Sequence, residues 1–155
     1  MPILILIVLL GFFIGYYMFF NKSNTVLSTS ITNLNVNPNA SDLNLLAKVV
    51  YGEAKGESYT SQVAIAAVVL NRLKNNSFPN TIAGVIYQPG AFTCVNNGQI
   101  NLTPNDTAEK AAQDALNGWD PTYGSLYYFN PKTETNKWLW SRPVVITIGK
   151  YRFCQ

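Results

Sequence analysis

Residues 42–74 read DLNLLAKVVYGEAKGESYTSQVAIAAVVLNRLK and hold two helical patterns parted near Gly56. In the first, Leu46, Val49 and Val50 recur at the spacing of one helix face, which predicts a helix over 42–54 capped by Ser41 or Asp42. Gly56 is placed to end it. In the second, Val63, Ala66, Ala67 and Leu70 make an apolar stripe, which predicts a helix over 59–74. Its small alanines admit a close neighbour, and Asn75-Asn76-Ser77 with Pro79 stop it.

Downstream, a short helix is expected over 81–87 before the Gln88-Pro89-Gly90 turn. A further helix is expected over 107–117, with Ala108, Ala111, Ala112 and Ala115 facing inward and Gly118 as its stop. After Pro121 the pattern changes to β-branched and aromatic runs at 126–129, 137–140 and 144–148, each read as a strand, with 151–153 read as a continuation of the last. Helices followed by strands argue an α+β domain, not a wound parallel sheet.

Upstream the chain changes character twice. Between 21 and 40, Asn, Ser and Thr fill 12 of 20 positions, a composition that cannot bury enough apolar surface to offset its ordering entropy. Residues 22–40 are therefore read as a linker, and 41–155 as one domain. Ile3 to Phe20 carry no charge, and as a helix they reach about 27 Å, enough for a bilayer core. Tyr16, Tyr17, Phe19 and Phe20 suit an interfacial aromatic belt. Residues 1–21 are read as a transmembrane anchor rather than a cleaved signal peptide. No Lys or Arg precedes the apolar run, and no small-x-small site follows it closely.

Composition removes several chemistries. The chain has no His, so Ser-His-Asp triads, Cys-His dyads and His-ligated zinc are excluded, and its two Cys cannot build a structural zinc site. No metal or cofactor is indicated. Its 11 Lys and Arg against 8 Asp and Glu are scattered singly, which argues against a nucleic-acid partner. Carboxylates, Tyr, Lys or Asn must carry any catalysis.

Glu53 is the leading carboxylate. Val50, Val49 and Leu46 lie three, four and seven residues before it, so it ends an apolar helix stripe. Desolvation there favours the protonated form, the condition for a general acid. The structural alternatives are an N-cap for the following helix or an ion pair with Lys48, Lys55 or Arg72. Glu57 reads as a first-turn charge for that helix, and Asp120 as a turn residue before Pro121. No second carboxylate is an obvious partner for Glu53, although glycosidases ordinarily use two. The second half is dense in aromatic and amide side chains, among them Tyr127, Tyr128, Phe129, Asn130, Trp138 and Trp140. Flat rings mixed with amides suit glycan chains; ordinary core packing is the alternative.

The segment from Leu46 to Glu57, with Tyr51-Gly52-Glu53-Ala54 at its centre, resembles the opening motif of the SleB/CwlJ-type cell-wall hydrolases, the spore cortex-lytic enzymes. The likeness continues in order through Gln62-Val63-Ala64, Val68 to Arg72, Phe78 to Ile82, Val85 to Phe92, Gln99-Ile100-Asn101, Ala115 to Gly118 and Tyr127 to Pro131, about 110 residues in all. It implies a two-lobed, lysozyme-like domain related to lytic transglycosylases. It also implies peptidoglycan glycan strands as substrate, cleaved between N-acetylmuramic acid and N-acetylglucosamine, with Glu53 as catalytic acid. The substrate-binding residues expected from it and from the aromatic reading are Tyr51, Gln88, Phe92, Asn101, Tyr127, Asn130, Trp138 and Trp140. Two departures stand out: Lys55 where an Arg is expected, and Tyr151 where a His is expected.

A wall substrate puts the domain outside the membrane, held there by the N-terminal helix. In that location Cys94 and Cys154 can close a disulfide worth about 4 kcal/mol in the chain-entropy model, or remain free buried thiols. A water-using muramidase needs a second carboxylate, for which Glu57 and Asp120 are the candidates. A non-catalytic glycan-binding module needs only the aromatic residues.

Overall fold

A computed structural model describes residues 39–155. The expected anchor (1–21) and nearly all of the expected linker lie outside those residues. Among the described residues, no helix is long and apolar enough to cross a membrane.

The domain starts two residues earlier than expected. Asn39 is the N-cap of α1 (Ala40–Ala54), its side chain accepting from the N–H of Asp42 at 2.9 Å, so neither Ser41 nor Asp42 caps it. The cap supplies an acceptor for one of the unpaired N–H groups of the first turn. α1 buries Leu46, Ala47, Val49, Val50 and Ala54.

Ser58 caps α2 (Tyr59–Lys74), where every residue from Ser61 to Leu70 is buried, not merely the expected stripe. A helix enclosed on all sides needs slim side chains where neighbours approach, and Ala64, Ala66 and Ala67 provide them. α5 (Asp106–Leu116) packs on both α1 and α2 through Ala108, Ala111, Ala112 and Ala115, as its spacing predicts. Gly118 follows at φ 103°, a backbone region open to glycine and strained for other residues.

Three short helical pieces link α2 to α5. α3 (Ile82–Ile86) is capped by Thr81, while α4 (Thr93–Asn96) and a 3₁₀ turn over Gln99–Asn101 were not foreseen.

The C-terminal part is a three-stranded antiparallel sheet of β1 (Tyr127–Phe129), β2 (Val144–Ile148) and β3 (Tyr151–Cys154), in the order β1-β3-β2. Tyr128 pairs with Phe153 and Ile148 with Tyr151, and a register shift lies between Val144 and Ile146. The central strand buries Tyr151, Phe153 and Cys154.

The strand expected over 137–140 is instead a helical turn, α6 (Lys137–Trp140). Asn136 turns the chain by accepting from the N–H of Trp138 at 2.9 Å. Four apolar-rich residues carry no period that separates strand from helix, so the local cap decides. Trp138 and Trp140 therefore do not share a strand face. The architecture is helix-rich with one small antiparallel sheet.

Candidate active site

Glu53 sits in the last turn of α1, half-buried, and both carboxylate oxygens are held by donors. The backbone N–H of Cys94, at the start of α4, donates to Oε1 at 2.6 Å. The phenol of Tyr128, on β1, donates to Oε2 at 3.0 Å. From β3 the phenol of Tyr151 donates to the main-chain carbonyl of Glu53 at 2.6 Å. Neither structural alternative for Glu53 holds, because Ser58 caps α2 and the only ion pair among the described residues is Lys150–Glu57 at 2.7 Å.

Both phenols are fixed donors. Burial, then the charge and hydrogen bond of Glu53, push Tyr128 well above its ordinary value. Burial likewise raises Tyr151. Neither becomes a base near neutral pH. Tyr151, which stands where the resemblance leads one to expect a His, thus still reaches Glu53, through its backbone. Replacing Tyr128 by Phe removes one of two donors to the carboxylate. We expect the rate of peptidoglycan solubilisation to fall about tenfold or more, since a hydrogen bond to a charged group is worth about 1.5–3 kcal/mol.

Tyr128 also lines a cleft of about 290 Å³ whose walls include Arg72, Phe78, Gln88, Tyr127, Asn136 and Trp138. Trp138 meets Tyr127 edge to face at 5.0 Å. Of the expected substrate-binding residues, Gln88, Tyr127 and Trp138 reach this cleft. Phe92 does not, being 2% exposed in the core beneath Tyr128. Trp140 is exposed but packs on Phe129 at 5.1 Å and donates its indole N–H to the carbonyl of Glu134. Asn130 is spent on its own turn, accepting from the N–H of Lys132. Asn101 ends the exposed 3₁₀ turn, and Tyr51 lies under Lys55, whose ammonium is 4.9 Å from the ring centre. Neither lines the cleft.

Arg72, Phe78 and Asn136 were missed as cleft residues. Arg72 carries a sequence signal, a charge within an apolar helix, whereas Asn136 carries none beyond a turn propensity. The donor from Cys94 is a backbone group and invisible to any reading of side chains.

The two other candidate carboxylates, Glu57 and Asp120, are occupied. Glu57 pairs with Lys150. Asp120 accepts from the N–H and hydroxyl of Thr122, the N–H of Gly124 and the amide of Asn71, all within 2.9 Å. Burial alone raises the Asp120 carboxyl, but these hydrogen bonds outweigh it and hold the group below its usual range.

The expected disulfide is not formed: Cys94 and Cys154 are both free and buried. Cys94 packs against Gly52 and Glu53 of α1, while Cys154 pairs with Tyr127 and Val144 inside the sheet. Burial, reinforced by Glu53, pushes the Cys94 thiol up to about 12. Stability from keeping it neutral is full below the ordinary thiol value near 9 and is lost as pH rises toward 12. The urea midpoint should accordingly drop over that range. Alkylation without reductant should label neither thiol quickly at pH 8 in the native protein, and both after unfolding.

One glutamate is thus held by two donors, one of which lines a cleft of aromatic rings and amides. The chain belongs to the cell wall hydrolase family, which residues 56–154 match, a stretch that opens three residues after Glu53. A spore cortex-lytic enzyme of Bacillus cereus is 60% identical over 114 residues, 74% of this chain and 44% of that protein. The cell wall hydrolase CwlJ of Bacillus subtilis is 30% identical over 127 residues, 77% of this chain and 89% of that one. The chain thus spans under half the length of the spore cortex-lytic enzymes it matches. Among solved structures, the catalytic domain of the Bacillus cereus SleB protein superposes with a TM-score of 0.71 at 60% identity, covering 74% of this chain and 89% of that one. The catalytic domain of the germination-specific lytic transglycosylase SleB from Bacillus anthracis gives 0.72 at 59% identity, covering 75% and 95%.

Proposed function

We propose that this protein cleaves peptidoglycan between N-acetylmuramic acid and N-acetylglucosamine as a lytic transglycosylase, with Glu53 as the single catalytic residue. The observation that carries this reading is that Glu53 is, among the described residues, the one carboxylate that accepts a hydrogen bond from a cleft side chain, the phenol of Tyr128. No Asp or Glu is among the residues that line the cleft. Glu57 and Asp120, which a water-using mechanism would recruit, are held elsewhere. The lytic transglycosylase named above, 59% identical, supports the same assignment.

A transglycosylase needs no activated water. Protonated Glu53 donates to the glycosidic oxygen as the bond to the muramic acid anomeric carbon breaks. The resulting carboxylate then takes the proton of that sugar's own C6 hydroxyl, whose oxygen closes on the anomeric carbon. Acid becomes base at one position, and the N–H of Cys94 and the phenol of Tyr128 keep that position fixed while the charge changes. Tyr127 and Trp138 offer ring faces to the glycan, and Gln88 and Asn136 offer amides. The helical part and the sheet act in this reading as the two lobes of a lysozyme-like domain.

We propose further that residues 1–21 hold this protein at the wall side of the membrane. The protein then works on membrane-proximal glycan and fractionates with membranes after gentle lysis.

Mass spectrometry of peptidoglycan digested by the full chain tests the chemistry. Anhydro-muramic ends, one water lighter than reducing ends, are expected. Reducing ends would mean hydrolysis with a second carboxylate. Sedimentation with the wall without release of fragments would leave only binding.

A further inference from the structure

Arg72 is a buried cation without an acid. It is 6% exposed, and its Nε–H donates to the carbonyl of Leu126 at 2.7 Å. That is the one hydrogen bond of its side chain among the described residues, and no carboxylate lies within ion-pair distance of it. Its terminal nitrogens are not sealed away but open to the cleft that Arg72 lines. The guanidinium instead stands among rings, 5.1 Å from the centre of Phe92, 5.4 Å from Phe78 and 5.7 Å from Tyr127. Ring faces attract a cation but accept none of the in-plane hydrogen bonds of its terminal nitrogens. A buried charge is costly unless it is paired, and the matching partner for a planar guanidinium is a carboxylate received through two parallel bonds.

That partner can come only from the cleft, because Arg72 lines it and no acid does. Arg142 adds positive potential from nearby, 5.5 Å from the ring of Tyr127 and 4.9 Å from that of Trp138. Tyr128 links this cation to the chemistry, since it lines the same cleft and donates to Glu53.

We propose that Arg72 is the receptor for a carboxylate borne by the bound glycan and so sets which muramic acid is presented to Glu53. The inference rests on the peptidoglycan reading above. Two sources share this chemistry: the lactyl carboxylate of a muramic acid without peptide, and the carboxylates of the peptide attached there.

Calorimetric titration of the full chain carrying Glu53→Gln, which leaves the ligand intact, decides it. Four muramyl glycans of equal length serve as probes: one with free lactyl carboxylates, one bearing peptide, and each of these after conversion of every carboxylate to its methyl amide. Amidation should weaken binding about tenfold or more. With Arg72→Gln added, acid and amide forms should bind equally weakly. Whichever acid form shows the larger loss on amidation names the source.

Equal affinity for acid and amide forms overturns the proposal. That comparison needs only the Glu53→Gln protein, so misfolding of the Arg72 variant cannot mask it. Cleavage by the unaltered chain separates the two levels: glycan cut with no effect of amidation sinks Arg72 alone, whereas glycan neither cut nor bound removes the peptidoglycan reading and this one with it.

Discussion

Glu53→Gln is expected to lower the rate of peptidoglycan cleavage by about 100- to 10,000-fold, the range supplied by a positioned general acid. Folding should barely change. The amide oxygen can still accept from the N–H of Cys94, and the amide NH₂ can donate to the Tyr128 oxygen in place of the bond now accepted. Turbidity loss of purified walls measures the first effect and urea unfolding the second. Glu53→Asp should be nearly as inactive, because the shorter arm withdraws the carboxylate from both donors, and misplacement by about 1 Å can cost about 100-fold. A Gln variant that retained most of its activity on a folded domain would remove Glu53 from the mechanism.

The second large effect is expected one residue earlier, at Gly52. A Cβ added there would fall 2.5 Å from Cβ of Cys94 and 3.3 Å from its sulfur. In an open helix Gly→Ala is favourable by about 1 kcal/mol, but overpacking typically costs about 1–3 kcal/mol, so the clash should decide the sign. The consequence reaches the chemistry, since the residue pushed aside is the one whose N–H holds Glu53 at 2.6 Å. Gly52→Ala should therefore lose stability by about 1–2 kcal/mol and activity by more than the folded fraction explains. Gly52→Ala with Cys94→Gly removes the opposing Cβ and should recover part of both, which a double-mutant cycle on urea midpoints and rates would register. Additive losses would show that the two residues do not press on each other.

How far the sequence led depended on the length of each pattern. α1, α2 and α5 repeat their apolar period over three or more turns, and each was found within two residues of its expected bounds. Residues 137–140 offered only one turn, too short for a period of 2 to be told from 3.6, and there the cap at Asn136 prevailed. The error spreads to the site: a strand over 137–140 would put Trp138 and Trp140 on one face, whereas only Trp138 reaches the cleft. Phe92 shows the other limit: an aromatic side chain looks the same in sequence whether it floors a cleft or fills a core. The place of Glu53 at the end of an apolar stripe singled it out, since a carboxylate there conflicts with burial, but its expected role as acid came from the family resemblance. The pair Tyr128 and Tyr151 was not legible, since nothing local says that two strands far along the chain converge on α1.

That convergence has a consequence for how the enzyme comes into being. The three groups that hold Glu53 lie 41, 75 and 98 residues after it in sequence. Contacts so distant close late, because the loop entropy must be met before they reward it. As the chain leaves the ribosome, Glu53 comes out unheld, and Cys94, Tyr128 and Tyr151 follow it in that order. A half-folded molecule carries the glutamate yet lacks the frame that aims it. On the lytic reading proposed above, cutting power is thereby withheld until β3 is zipped into the sheet, a safeguard of timing built into the order of the chain.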